Sequence, residues 1–578
     1  MFAVNKVSGV SLKAYQGAQM TLLAMDLDSG LATADFAGFT LEYAGPNGTR
    51  RPLQNLINFT GDDIITSSVD SPFQTFKWVH FPGTYSQKPL PTGDWKYFAT
   101  PRFFDANRAL AAMDPARTVG VDIKVGNFEK GGMSLGFTRA FLKSQAYARR
   151  YGAKTKLRPS GHWLFDTSAK AGTTDGVDFT YEDMYVWLGY TARYQIYEML
   201  DEALADSSVS VEMFAYDLND PGTAKRCIEL AKAGRIRILL DNADLHVSKP
   251  GKPSKEDDFE QRFRSAATAG ADIFRCKFSR YAHCKIIILK RGGKGYRVLT
   301  GSTNYAVTGL CVNANHVVIF DRDDVAGYYS DVFNNVWMVG KTAPFIQTPF
   351  SQQTTTFKGK GLPPTDITFS PHDDTRARSV LDAITAEVTA ATTRSVLFAV
   401  MEMGDTSSGS IIPALRQLHK NDAIYTYGVT DNSSGDISLY KPGRKTGLLI
   451  DAKQAKRELP PPYKSEASIG LGHAIHHKFV ITNFNRANAK VWCGSSNLAL
   501  GGEKANGDNL LCIRDRDVAT AFAIEAMRLT DHYNFRSVRE TDIGQPNQKP
   551  KVLDTTGRWI KKFYDPTDIR FVERKTLA

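Results

Sequence analysis

The chain has 578 residues, 42% of them apolar, with a net charge of +11. Such a length calls for about two to four domains rather than one core. The basic balance weakly favours an anionic partner, nucleic acid or a phospholipid surface. The longest apolar runs, such as "KIIILK", are strand-sized and fall short of the roughly 18 residues that span a bilayer, so no stable membrane insertion is expected. The start "MFAVNKVSGVSLKAYQGAQ" lacks a charged segment followed by a continuous apolar one. No secretory signal is therefore expected, and a cytoplasmic location is, with delivery by a non-classical route left open. Six cysteines without CxxC spacing read as reduced thiols.

In chain order, residues 1–155 carry "LEYAG", "FKWVHF", "WKYFATPRFF", "VGVDIKVG" and "SLGFTRAFL". These short aromatic and β-branched runs, separated by Gly, Pro, Asn and Asp, predict an all-β, immunoglobulin-like sandwich. A linker is expected over 152–185. Residues 180–342 then read helix ("YQIYEMLDEAL"), strand ("VSVEMFAYDL"), helix, strand ("RIRILLDNA") and the segment "HCKIIILKRGGKGYRVLTGSTN" from His283 to Asn304. After a connector over 343–367, residues 368–545 repeat the order. They read "ARSVLDAITAEV", "SVLFAVMEM", a helix, "AIYTYGVTD" and "HHKFVITNFNRANAKVWCGSSN" from His476 to Asn497. Residues 546–578 form a mixed, basic tail.

The two copies match at four spacings. His283 precedes Lys285 by two residues, as His476 precedes Lys478. Gly301 and Gly494 each lie sixteen residues past the lysine. Asn315 and Asp508 each lie eleven past the terminal Asn304 and Asn497. "DRDDVA" and "DRDVA" then open the helices "GYYSDVFNNVW" and "TAFAIEAMRL". The chain is thus an internal duplication, its histidines 193 positions apart. Strands alternating with helices predict mixed α/β halves with parallel strand pairs.

His and Lys two apart on a strand share one face. The Ser and Asn that end the next strand sit near the same edge. Two facing halves would offer two imidazoles, two ammonium groups and two carboxamides. That set suits a phosphodiester. Lys and Asn donate to the non-bridging oxygens. One neutral His can attack phosphorus, and the other can protonate the leaving oxygen and then activate water. The groups eleven residues past each Asn fix the imidazole tautomers. The lysines do the neutralising, so no metal or other cofactor is called for.

This duplicated pattern resembles the phospholipase D superfamily, whose motif is HxKx4D followed by GSxN. The resemblance covers roughly 180–540. It implies an α/β fold of two pseudo-symmetric halves sharing one active site, here preceded by the β-sandwich-like domain, with a single chain supplying both halves. It also implies that Asp508 pairs with His283 and Asn315 with His476. His283 is then the nucleophile, forming a phosphohistidine, and His476 the general acid. Lys285, Lys478, Asn304 and Asn497 bind the phosphate, with Ser302 and Ser495 at supporting, substrate-side positions. The sequence departs from the motif where Lys290 and Asn483 replace its Asp. Tyrosyl-DNA phosphodiesterases also lack that Asp and carry an amide at the position matching Asn315. Asp508 stands where Glu is common in the family.

"HAIHH" (His473, His476, His477) lacks neighbouring ligands to complete a zinc set and reads as packing. "RGGKG" (291–295) reads as a hairpin turn. The basic insertion from Tyr440 to Glu466 reads either as a solvated loop or as a flap gripping phosphates through residues such as Lys441, Arg444 and Lys445. The leading functional reading is a metal-independent nuclease on DNA or RNA. The alternatives are a phospholipase D acting on lipid head groups and a non-catalytic binding module on the same fold. The charged, not apolar, loops ahead of each histidine favour nucleic acid over lipid.

Overall fold

The computed structural model describes residues 1–55, 57–61, 64–82, 92–140, 144–152, 155–159, 162–402, 411–418, 420–421, 424–431, 437–440, 448–450, 474–540 and 552–578. The N-terminal run builds two four-stranded antiparallel sheets. One contains Phe2–Val7, Val10–Gln16, Thr21–Leu27 and Lys77–His80. The other runs Val119–Val125, Gly93–Phe103, Phe36–Ala44 and Arg50–Pro52. Alternation sets their inner faces: in VGVDIKV the residues Val119, Val121, Ile123 and Val125 are buried, while Asp122 and Lys124 are exposed. They share a core with Leu12, Leu23, Phe36, Phe39, Trp95 and Tyr97.

These two sheets end before residue 155. The hairpin Phe128–Lys130 and Met133–Phe137, read above as part of the N-terminal domain, belongs to the next sheet. Met133 pairs with Phe320 and Phe137 with His316. Every residue of MSLGF is buried, as a strand covered on both faces requires. The supposed linker over 152–185 contains a further hairpin, Lys170–Thr174 with Val177–Thr180, and the start of the helix Tyr181–Ala205. Thr180 and Asp183 close that helix's first turn with a reciprocal capping box.

The eight-stranded sheet runs, in spatial order, Phe128–Lys130, Met133–Phe137, His316–Phe320, Lys294–Gly301, Ile286–Arg291, Val209–Ala215, Ile236–Asp241 and Asp272–Cys276. The nine-stranded sheet runs Thr355–Gly359, Leu362–Phe369, Asn509–Ile513, Lys490–Gly494, Lys478–Thr482, Ser395–Glu402, Tyr425–Asp431, Ile437–Tyr440 and Leu448–Ile450. The first seven positions correspond one to one. In each sheet one parallel pair, Val209–Ala215 with Ile236–Asp241 or Ser395–Glu402 with Tyr425–Asp431, continues an antiparallel set. The sheets part at the next strand, which is parallel in the first and antiparallel in the second.

The connector expected over 343–367 is therefore partly sheet. Its hairpin is the counterpart of Phe128–Phe137, so the repeated topology starts upstream of the helices where sequence similarity begins. The two hairpin turns meet: a Cβ on Gly131 would lie 1.9 Å from the Gly361 carbonyl oxygen. The C-terminal segment is no loose tail either. Its helices Arg558–Tyr564 and Ile569–Leu577 dock because Ile560 and Phe563 fall on one face and enter the N-terminal core. Lys77 pairs with Glu573 at 2.7 Å and with Asp531 at 3.1 Å.

Candidate active site

Each motif histidine sits in an extended segment just before its strand, not within it; the strands begin at Ile286 and Lys478. A carboxylate at the end of the neighbouring parallel strand holds each segment. Asp241 Oδ1 accepts from the Ala282 N–H at 2.5 Å, and Asp431 Oδ2 accepts from the Ile475 N–H at 3.0 Å. The segments then cross to the opposite half. His283 N–H donates to the Gly507 carbonyl at 2.8 Å, and Gly507 N–H returns a bond to Tyr281. His476 N–H donates to the Ala314 carbonyl at 3.1 Å, and Ala314 N–H returns one to Ala474. Gly507 and Ala314 directly precede Asp508 and Asn315, so these bridges carry the orienting side chains to the histidines.

The side chains meet accordingly. His283 Nδ1 lies 2.6 Å from Asp508 Oδ1, both buried. His476 Nδ1 lies 2.8 Å from Asn315 Oδ1 and 3.1 Å from the Ser302 carbonyl. The Asn315 amide is oriented by its own bonds: Nδ2 donates to the Gly309 carbonyl, and Oδ1 accepts from Ser302 Oγ, each at 2.8 Å. Both partners of His476 Nδ1 are thus acceptors. The ring therefore carries its proton on Nδ1. Burial pulls the His283 pKa below its ordinary value despite Asp508, so the ring is neutral near pH 7. Burial also opposes charge on Asp508, yet His283 holds its carboxyl below the usual range.

Lys285 Nζ donates to the His283 carbonyl, and Lys478 Nζ donates to the His476 carbonyl at 2.8 Å. Both ammonium groups are buried, and among the described residues neither forms an ion pair. Burial pulls Lys285 down to about 8. Burial and the facing Lys285 push Lys478 well below its usual value. An arriving phosphate would supply the missing counter-charge. Asn304 Nδ2 donates to Asp217 Oδ2 at 2.8 Å. The carboxamide oxygens of Asn304 and Asn497 are buried without a partner among the described residues.

Ser302 and Ser495 differ from the substrate-side expectation. Both are buried and their hydroxyls are spent internally. Ser302 Oγ bonds Asn315, and Ser495 Oγ donates to Asn509 Oδ1 at 3.1 Å. They hold the loop that carries the orienting residue. Lys290, at the position of the motif Asp, bonds the buried Glu212 at 2.7 Å, and Asn483 accepts from the Arg394 N–H. Lys441, Arg444, Lys445 and His473 lie outside the described residues. His477 faces away from the site, bonding Glu525 at 3.0 Å and stacking on His316.

Sequence reasoning missed four groups. Asp241 and Asp431 are the last acids of two quoted strands and recur in both copies, which was a usable signal. Asp217 and His246 had none. His246 is wedged between Asp217 at 2.7 Å and Asp241 at 2.8 Å, beneath the edge of Tyr216. Burial opposes its charge, but the two carboxylates raise its pKa to about 10. A cationic His246 thus steadies both the carboxylate that holds Asn304 and the one that holds the His283 segment. Tyr216 also packs edge-on against His283, 4.7 Å between centroids, and under the Lys285 ammonium.

Residues 197–337 match the family model described as "Cardiolipin synthase, PLD-like domain". That stretch is a domain of the phospholipase D superfamily. Among solved structures, the chain is similar to polyphosphate kinase from Porphyromonas gingivalis: 11% identity, TM-score 0.36, 68% of this chain and 55% of that one covered. It is similar to phosphatidylserine synthase from Haemophilus influenzae: 11% identity, TM-score 0.40, coverage 67% and 92%. It is also similar to Nuc from Salmonella typhimurium: 20% identity, TM-score 0.21, coverage 26% and 89%. The chain thus spans little more than half of the polyphosphate kinase's length. No curated protein matches it. Among the described residues no helix is long and apolar enough to cross a membrane, and no three His, Cys, Asp or Glu side chains cluster to hold a metal.

Proposed function

We propose that the chain is a phosphodiesterase whose two pseudo-symmetric halves share one active site, behind an N-terminal β-sandwich, and that its substrate is nucleic acid. The observation that carries this reading is the crossed pairing of His283 with Asp508 and His476 with Asn315. His283 Nε2 attacks phosphorus, and Asp508 stabilises the imidazolium-like charge that develops. The phosphorus–oxygen bond breaks, and His476 Nε2, protonated in the complex, gives its proton to the leaving oxygen. His476 then takes a proton from water, which attacks the phosphohistidine and restores His283. Lys285 and Lys478, joined by Asn304 and Asn497, neutralise the non-bridging oxygens. Asn315 carries no charge, which suits His476 to acid and base work.

The net charge of +11 and the uncompensated buried lysines support an anionic polymer as substrate. Phospholipid head groups are the second reading, favoured by the description of the matching family model, which names a lipid synthase. A binding module without chemistry is disfavoured because both lysines are present and each histidine has its orienting partner. The test is hydrolysis of single-stranded RNA, plasmid DNA and phospholipid vesicles in excess EDTA, followed by acid quench and mass spectrometry. Nucleic acid cleaved in EDTA, with phosphate on His283, is the expected result. Asp508→Asn should slow formation of that adduct a hundredfold or more, on the order of what removing an orienting acid costs elsewhere. Activity recovered only with magnesium, or phosphate on His476, would overturn the assignment.

A further inference from the structure

A cavity of about 850 Å³ lies beside the candidate site, and Asp217 on its wall accepts from Asn304 Nδ2. Its charged lining is unbalanced in a specific way. The acids are already satisfied: Asp217 by His246 and Asn304, and Asp258 by Arg262 at 3.0 Å and by the Trp163 indole N–H at 2.7 Å. The cations are not. Lys156, Arg158 and Lys255 line the same space, and among the described residues none of them forms an ion pair. Burial and, after it, the nearby Arg158 pull the half-buried Lys255 below its usual pKa, while Glu256 and Asp217 act the other way. Trp163, partly buried against the neighbouring apolar core and tied by its indole N–H to Asp258, lines the same cavity.

We propose that this cavity is a second anion site, taking a phosphate of an oligonucleotide strand next to the phosphate under attack, with a neighbouring base against Trp163. It rests on the nuclease reading above and deepens it. A guanidinium and an ammonium that line one open cavity suit a phosphate. An aromatic face beside a positive groove is how single strands are held without regard to sequence. The satisfied Asp217 separates this site from the reacting centre, so that the two anions occupy distinct places.

The test compares the full-length wild type with Arg158→Ala/Lys255→Ala, both first shown to unfold at similar temperatures. Two chromogenic substrates are used: thymidine 5′-(4-nitrophenyl phosphate), and the same ester bearing a 3′-phosphate. The isomers with the two groups exchanged are run alongside, since strand polarity is open. Wild type should prefer one bisphosphate ester, and the double variant should lose that preference at least tenfold, through KM. An unchanged preference in both polarities would overturn the proposal. If wild type hydrolyses neither ester, the phosphodiesterase reading fails, and binding of a fluorescent ten-residue oligothymidylate still tests the cavity. The double variant should then lower the slope of log K against log salt by about 0.7, for one phosphate of a single strand no longer neutralised. An unaltered slope, or a loss of binding confined to phosphatidylglycerol vesicles, would refute a nucleic-acid site.

Discussion

Lys285 and Lys478 face each other in a buried site where, among the described residues, neither is paired with a carboxylate, and their charge is therefore conditional. Burial lowers the Lys285 ammonium to about 8, so fewer molecules carry the charge proposed to receive phosphate as pH rises past that value. Because kcat/KM reports the free enzyme, it should fall about tenfold per pH unit above roughly pH 8. A profile flat to pH 10 would show that this lysine is not needed as a cation. His246 behaves in the opposite sense. Its folded pKa is raised from the ordinary 6.5 to about 10 by Asp217 and Asp241. Its contribution to stability is whole below about pH 6.5 and lost as pH rises through 10. The melting-temperature gap between wild type and His246→Gln should be widest near pH 6 and narrow toward pH 10. A gap independent of pH would mean that His246 acts by packing alone.

At the scale of elements, the hairpins Phe128–Phe137 and Thr355–Phe369 bring the two large sheets into contact. Gly131 has φ +58°, and a Cβ there would run into backbone, not a flexible side chain. Gly131→Ala should therefore cost about 2 kcal/mol or more, read by denaturant unfolding, since strain and backbone displacement add. Gly292→Ala, at similar φ but with open space around it, should cost only the strain. The helices and strands of the two halves were legible in sequence because apolar periodicity and turn residues are local. The hairpins were not. Their turns share only glycines and lysines, and a short buried strand such as MSLGF looks the same whichever sheet receives it. The docked C-terminal helices were missed for a related reason: a mixed basic segment shows its apolar face only against a partner.

For the whole molecule, the proposed single site built from two halves has a plain consequence. His283→Asn and His476→Asn should each remove nearly all phosphodiesterase activity, and mixing the two variants should not restore it, since each chain carries one defect in its only site. Either variant keeping about half the wild-type turnover would mean two independent sites. The N-terminal domain is tied to this assembly through the C-terminal helices. Phe563→Ala, which empties a buried aromatic position in the N-terminal core, should destabilise by about 3 kcal/mol in denaturant unfolding. No change would show that the helix is not seated there.

The sequence by itself carried the duplication, the α/β character of each copy and the identities of the two histidines, two lysines and two asparagines. Those features are local: recurring spacings place chemically matched residues at matched points of a strand–turn–strand unit. Which acid or amide serves which histidine came only from family likeness, because spacing along one chain says nothing about contacts between copies. The tertiary structure decided it through the backbone bridges from His283 to Gly507 and from His476 to Ala314, which deliver Asp508 and Asn315 across the interface. It also decided the parts played by Asp241, Asp431, Asp217 and His246. A carboxylate or imidazole gains its function from the groups it faces, and those come together only when distant strands are packed side by side.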